Sequence, residues 1–302
     1  MKTLITGATG LVGRRLLDRL TDSVSLVRSP AKVASGAAHR WDAVTGPPPT
    51  EAFDDVQAIV HLAGDPVSNG RWSPAKKQSI RDSRVTGTRN LVARLASLEQ
   101  KPKVLISASA VGIYGDRGDE TLDETSPVGH GFLADVCANW EAEAMKASEM
   151  GIRVVCLRIG VVLAQEGGAL AKMMTPFKLG VGGRLGDGKQ WMSWIHVDDL
   201  VGLILHSVTN DQIRGVVNAV APEPVTNRQF TQTLARSLHR PAFLPTPKTA
   251  LRMIFGEMSE IMLASQRVTP SRALESGYSF QFPTLSGALA SIKSLGVTPR
   301  AA

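Results

Sequence analysis

The chain is short of the residues that staple, ligate or span. Its 302 residues include only two cysteines, Cys137 and Cys156. Their spacing matches neither a redox pair nor a metal pair, so a reduced, cytoplasmic protein is expected. The six histidines are scattered, with no His-x-x-His or His-x-x-x-His among them, and no metal site is expected. No apolar run approaches the roughly 20 residues of a membrane helix. Met1-Lys2 runs straight into Leu4-Ile5-Thr6-Gly7, without the apolar stretch of a secretory leader. Lysine and arginine outnumber the acids, for a net charge of +7. They are dispersed, however, and the densest doublets are Arg14-Arg15 and Lys76-Lys77. No basic stripe with interleaved aromatics stands out, so nucleic acid is not an expected partner, although anionic ligands should be mildly attracted. Tyrosine is as scarce as cysteine, with Tyr114 and Tyr278 alone.

What is present is alternation. Thr3–Thr6, Val24–Val27, Ala58–Leu62, Val104–Ser107 and Val154–Arg158 read as short apolar strands. Between them, helical patterns start at Leu11, run from Val85 to Leu98 with Leu91, Leu95 and Leu98 on one face, and run from Phe132 to Met150. Strands separated by helices of this length predict βαβ units and a parallel sheet. After Gly160 the alternation loosens. An Ala/Met/Leu helix follows Gly167-Gly168, and Gly180 to Lys189 is loop. Asn227–His239 is a helix capped by Thr226, and a last helix runs from Pro283 to Leu295. The expected architecture is an α/β, Rossmann-type doubly wound parallel sheet over residues 1–160. A smaller α/β C-terminal lobe over residues 161–302 is interleaved with it, the Asn218 region returning to the sheet.

Gly7-Ala8-Thr9-Gly10-Leu11-Val12-Gly13 joins the first strand to the first helix. Gly7 permits the tight turn, Gly10 lets backbone approach a pyrophosphate, and Gly13 lets helix and sheet pack closely. The helix start then offers N–H groups and partial positive charge to the phosphates. The residue ending the second strand selects the dinucleotide. An acid there would grip the ribose 2′-hydroxyl of NAD, but this chain has Arg28 followed by Ser29, suited to a 2′-phosphate. NADP(H) is therefore the expected cofactor. Leu62-Ala63-Gly64 should line its adenosine side through backbone atoms, with His61 a packed histidine.

Several segments together resemble the extended short-chain dehydrogenase/reductase superfamily. They are Gly7–Gly13, His61–Gly64, Ser107-Ala108-Ser109-Ala110-Val111-Gly112-Ile113-Tyr114-Gly115, Trp194–Leu200 and Gly215–Ala219. Trp140-Glu141, Leu157–Leu163, Gln266-Arg267-Val268 and Phe282–Leu285 are similar to its atypical "epimerase family" branch, which sometimes carries a legacy cell-division-inhibitor name. The resemblance implies that Ser109 occupies the place of the catalytic serine, or else is a strand-end serine bonded to backbone. It also implies that Arg84 opens a helix reaching the cofactor, and that two helices could form a homodimer.

Ordinary chemistry in that superfamily uses Tyr-x-x-x-Lys, in which the ammonium lowers the phenol pKa. Four residues after Tyr114 lies Gly118, and four after Tyr278 lies Phe282, so the pair is missing. Alignment on Glu141 puts its two positions at Leu133 and Cys137. Ser109, Tyr114, His130, Asp135 and Lys146 remain near the expected site. Of these Tyr114 is the best acid–base candidate, with no cation foreseen beside it and so a pKa near the reference of about 10. Trp191, Trp194 and His196 either shape a substrate pocket or belong to the core, which is the reading favoured for Trp194. Two functions follow as expectations. One is an NADP(H)-dependent oxidoreductase or nucleotide-sugar epimerase acting on a small-molecule substrate with a non-standard proton donor. The other is an NADP(H)-binding redox sensor or regulator with little or no turnover.

Overall fold

The computed structural model describes residues 1–33 and 36–292. Its strands are β1 (Thr3–Thr6), β2 (Ser23–Val27), β3 (Ala37–Arg40), β4 (Ala58–His61), β5 (Val104–Ala110) and β6 (Thr121–Leu122). Beyond these come β7 (Arg153–Ile159), β8 (Val161–Leu163), β9 (Trp191–Met192), β10 (Trp194–His196), β11 (Gly215–Ala219), β12 (Val225–Thr226) and β13 (Arg267–Val268). One seven-stranded sheet has the order β11-β7-β5-β4-β1-β2-β3. Each of its pairings is parallel.

The strand sequences explain why. Leu4, Ile59, Leu105 and Val154 lie side by side in register and enter one core, while Ile5, Val60, Ile106 and Val155 enter the other. Adjacent apolar residues thus point to opposite faces, and both faces must be covered. The helices are α1 (Leu11–Leu17), α2 (Pro74–Ser97), α3 (Phe132–Met145), α4 (Gly168–Lys178), α5 (Val197–Thr209), α6 (Asn227–Ser237) and α7 (Lys248–Phe255), with shorter turns after them. Leu91 and Leu95 of α2 and Ala144 of α3 close one face. Leu16 of α1 and Leu200, Leu203 and Ile204 of α5 close the other. Each fully buried leucine contributes about 1.5–3 kcal/mol. This is the Rossmann-type doubly wound sheet. Its strand order reverses between β1 and β4, and ligands bind such sheets outside the strand C-termini at that point.

The chain beyond residue 160 builds a second core around Leu163, Leu170, Phe177, Trp194, Phe230, Leu234, Leu285 and Leu289. β8 pairs with β10, and β11 lies against β7 in the main sheet. Thr226 caps α6 in a reciprocal box with Gln229. The last helix spans Leu285–Ser291, and residues 293–295 of its expected range lie outside the described residues.

Two boundaries differ from expectation. α2 begins at Pro74, not Val85, because Ser73 accepts a hydrogen bond from Lys76 N and Pro74 occupies the first turn. α3 stops at Met145 and tightens into a 3-10 turn that ends at Gly151, whose φ is +78°. Among the described residues no helix is long and apolar enough to cross a membrane, and no cluster of three or more potential metal ligands occurs.

Candidate functional site

The turn after β1 shows what each glycine does. Gly7 has φ +73°, and a Cβ there would lie 2.8 Å from the Leu62 carbonyl carbon. A Cβ on Gly13 would lie 2.3 Å from Gly7 O and 2.7 Å from Ala8 Cα. Both are required by the fold itself. Gly10 differs: its N–H donates to Gly7 O, and a Cβ there would meet only that oxygen, at 3.2 Å. The space in front of the turn is therefore open to a ligand. Gly10 also begins α1, and no side chain among the described residues caps that start. The first amides of Leu11, Val12 and Gly13 thus face outward as donors. Thr9 and Gly10 are exposed, whereas Ala8 is buried beneath them.

β4 is stitched to β1 beside this turn. Thr6 Oγ1 accepts from Leu62 N and Ala63 N at 3.1 Å each. Its hydroxyl proton therefore goes to His61 Nδ1 at 2.7 Å, and His61 Nε2–H donates to Thr88 Oγ1 at 2.9 Å. Burial pushes the His61 pKa down to about 4, so it is a neutral packed histidine. Leu62, Ala63 and exposed Gly64 leave the strand in a fixed direction as a result. Arg84 lies over Gly64, where a Cβ would be 3.1 Å from the guanidinium carbon. It sits in mid-helix on α2, not at a helix start, and Nη1 donates to Asp65 O at 2.9 Å and Ile80 O at 3.2 Å.

At the C-terminal end of β2, Arg28 and Ser29 are exposed, and a 3-10 turn at Pro30–Lys32 follows. Lys32, Arg14 and Arg15 line a cavity of about 240 Å³ against Ala8 and Leu11. Arg15 is paired there with Glu166 at 2.9 Å.

At the end of β5 the structure holds a network that sequence reasoning missed. Ser109 Oγ donates to Glu141 Oε1 at 2.6 Å. Arg158 grips the same carboxylate through Nε and Nη2, each at 2.9 Å. Its Nη1 donates to Tyr114 Oη at 2.9 Å, and that hydroxyl donates to Asn218 Oδ1 at 2.7 Å. Asn218 N in turn donates to Glu124 Oε1 at 2.9 Å. Burial opposes charge on Arg158, yet Glu141 outweighs it and raises the guanidinium pKa. Ser109 is thus bonded to a side chain, not to backbone. The expectation that no cation stands beside Tyr114 is corrected by Arg158. Tyr114 is 0% exposed, and burial raises its pKa more than Arg158 lowers it. One signal was available: Arg158 is the lone charge inside the otherwise apolar run Val154–Ile159, and a buried charge needs a partner.

The positions of the absent pair hold no replacement. Cys137 is buried, and burial pushes its thiol up to about 12. Leu133 packs beside Gly112. Lys146 is drawn away by Glu143 at 2.8 Å, and His130 and Asp135 are exposed. Trp194 is fully buried, its indole donating to Glu223 O. His196 caps α5, accepting from Asp198 N. Trp191 stacks under Arg267 and donates to Asp119.

Known proteins resemble this chain over most of its length. The family model described as "NAD dependent epimerase/dehydratase family" matches residues 3–219. A second, described as a domain of unknown function (DUF1731), matches residues 246–292. An Arabidopsis thaliana protein named "Epimerase family protein SDR39U1 homolog, chloroplastic" is 42% identical over 97% of this chain and 86% of its own length. The crystal structure of human epimerase family protein SDR39U1 (isoform 2) with NADPH is 33% identical. It superposes with a TM-score of 0.87, covering 97% of this chain and 99% of that one. A nucleoside-diphosphate sugar epimerase from Corynebacterium glutamicum is 36% identical, with a TM-score of 0.77, over 96% of this chain and 57% of that one.

Proposed function

The chain belongs to the NAD-dependent epimerase/dehydratase family, and on that premise we propose that it holds NADP(H) across the Gly7–Gly13 turn. The observation that carries this is the middle glycine. Gly7 and Gly13 are demanded by protein atoms, but the space before Gly10 is open and lined by uncapped amides. Arg28 and Ser29 stand where a 2′-phosphate would be recognised, and Leu62-Ala63-Gly64 and Arg84 border the remainder. The human relative crystallised with NADPH supports the same choice of nucleotide.

When bound, NADPH supplies a hydride. The residues of this chain hold and orient it, and in the handling of the proton the chain departs from the ordinary Tyr/Lys device. Ser109 commits its only proton to Glu141, so it offers lone pairs, not a proton, to a neighbouring ligand. Tyr114 is sealed from solvent with its hydroxyl fully engaged. The Ser109–Glu141–Arg158–Tyr114 network is positioning machinery. An oxidoreductase or epimerase reaction on a small-molecule substrate takes its proton from the substrate or from water. The same network favours a second reading, in which NADP(H) is held with little or no turnover as a redox signal.

The test is titration with NADPH and with NADH, followed by fluorescence of the bound nicotinamide, on the native protein and on Arg28→Ala. NADPH should bind more tightly, and Arg28→Ala should erase roughly tenfold or more of that preference, the scale of one charged hydrogen bond. Equal affinities, unmoved by the substitution, would remove the 2′-phosphate assignment. Oxidation of bound NADPH across carbonyl and nucleotide-sugar panels then separates the two readings.

A further inference from the structure

The missing lysine leaves a question of charge. A dinucleotide whose pyrophosphate lies on the Gly7–Gly13 turn sends its adenosine half toward the end of β2, where Arg28 stands. In the sheet order β5-β4-β1-β2, its nicotinamide half then lies on the opposite side of β1, over the ends of β4 and β5 and against α3, which moves the Leu62–Gly64 edge from the adenosine side expected of it to the nicotinamide side. The position that would carry an ammonium there is Cys137, which is buried and neutral.

A different cation reaches that side. Arg84 comes from α2, passes over Gly64 at the end of β4, and sets its guanidinium 5.2 Å from the ring centroid of Trp140 on α3. Trp140 stands one helical turn after Cys137, on the same face. Nη1 is held by the carbonyls of Asp65 and Ile80. Nε and Nη2 donate to no acceptor among the described residues. Oδ2 of the nearby Asp65 carboxylate accepts from Lys76 at 2.6 Å and Ser79 at 2.9 Å, and neither carboxylate oxygen accepts from Arg84 among the described residues. Beside it, Trp140 is 4% exposed, yet its indole N–H has no partner among the described residues. One small region therefore holds a half-buried cation and a buried indole with unused donors. The polar groups that would satisfy them must come from elsewhere, since leaving such bonds unmade is costly.

We propose that Arg84 does from α2 what a lysine at position 137 would do from α3: its free Nε/Nη2 edge binds the hydroxyls of the nicotinamide-side ribose. The proposal rests on the NADP(H) reading above and deepens it, because it divides the site. Arg28 serves the adenosine half and Arg84 the nicotinamide half. Burial lowers the Arg84 pKa without neutralising an arginine.

The experiment compares two ligands on the full chain: NADPH, and 2′,5′-ADP, which carries the adenosine half and no nicotinamide. Arg84→Met keeps an unbranched stem against Trp140 and removes the charge. NADPH should weaken roughly 10- to 100-fold while 2′,5′-ADP changes by less than about twofold. Arg84→Lys should recover part of the loss. Equal weakening of both ligands would mean that Arg84 acts on the adenosine half or through the fold, and would overturn the proposal. So would unchanged NADPH binding. If the native chain binds neither ligand, the cofactor reading itself fails, a result that needs no variant to recognise.

Discussion

Glu141→Gln removes one negative charge from a point where three donors converge: Ser109 Oγ at 2.6 Å, and Arg158 Nε and Nη2 at 2.9 Å. The amide oxygen can replace Oε1 for Ser109 and Arg158 Nε. The amide nitrogen then faces Arg158 Nη2, donor against donor. The greater cost comes from the guanidinium left without a counter-charge, since the Arg158 and Glu141 side chains are only 7% and 10% exposed. Removing one partner of a buried ion pair costs about 3–5 kcal/mol. Against a total stability of about 5–15 kcal/mol this is a large share, and it lowers Tm on the order of 10 °C. Ser109→Ala removes one charge-assisted bond and should cost about 1.5–3 kcal/mol. The double variant should cost less than the two single changes added together, because the bond Ser109 makes is to Glu141. Urea unfolding followed by tryptophan fluorescence reads all three. Arg15→Ala, which breaks an exposed pair with Glu166, should stay within about 1 kcal/mol. A Glu141→Gln protein as stable as the Arg15 variant, or strict additivity with Ser109→Ala, would refute the description of this network as a coupled buried unit.

The glycine turn separates fold from ligand. Gly10→Ala should cost less stability than Gly13→Ala, since its Cβ meets one atom, Gly7 O, at a tight 3.2 Å, yet weaken NADPH binding strongly. Gly13→Ala places a Cβ 2.3 Å from backbone and should lose about 1–3 kcal/mol of stability along with binding. Equal behaviour of the two in thermal melts would show that the turn is architecture only. His61 makes stability depend on pH. Its pKa is about 4 when folded, against 6.5 for an unperturbed histidine, so the unfolded chain takes up a proton that the folded one refuses. That contribution is whole above pH 6.5 and is lost as pH falls toward 4. Between about pH 7.5 and pH 5 the loss is about 2 kcal/mol, visible as a steeper fall for the native chain than for His61→Gln in matched urea titrations. Parallel curves would mean that His61 is not held neutral.

How much of the molecule is readable from its sequence depends on how far apart the deciding atoms are in the chain. Gly13 is legible because its clashes, with Gly7 O and Ala8, lie within two turns of chain, and Gly7 because its φ of +73° belongs to the local turn, although the atoms a Cβ would meet are those of distant Leu62 and Ala63. The strands are legible because Leu4-Ile5, Ile59-Val60 and Leu105-Ile106 must be buried on both faces wherever the sheet forms. The Ser109 network is different. Its members come from β5 and the 3-10 turn after it, α3, β7 and β11, and meet only when those elements assemble. Arg158 signals it as an unpaired charge in an apolar strand, but nothing local says that the partner is Glu141. Arg84 is hard to place for another reason. Lys76, Lys77, Arg81 and Asp82 blur the apolar periodicity of α2 and point to a start at Val85, although Ser73-Pro74 already spells a capped helix start. A capping signal reports the backbone hydrogen bonds themselves, whereas periodicity reports only what a helix packs against. Where the two conflict, as they do along α2, the cap is the better guide. Following it puts Arg84 in mid-helix, one turn beyond Ile80, where its side chain can cross Gly64 and reach α3.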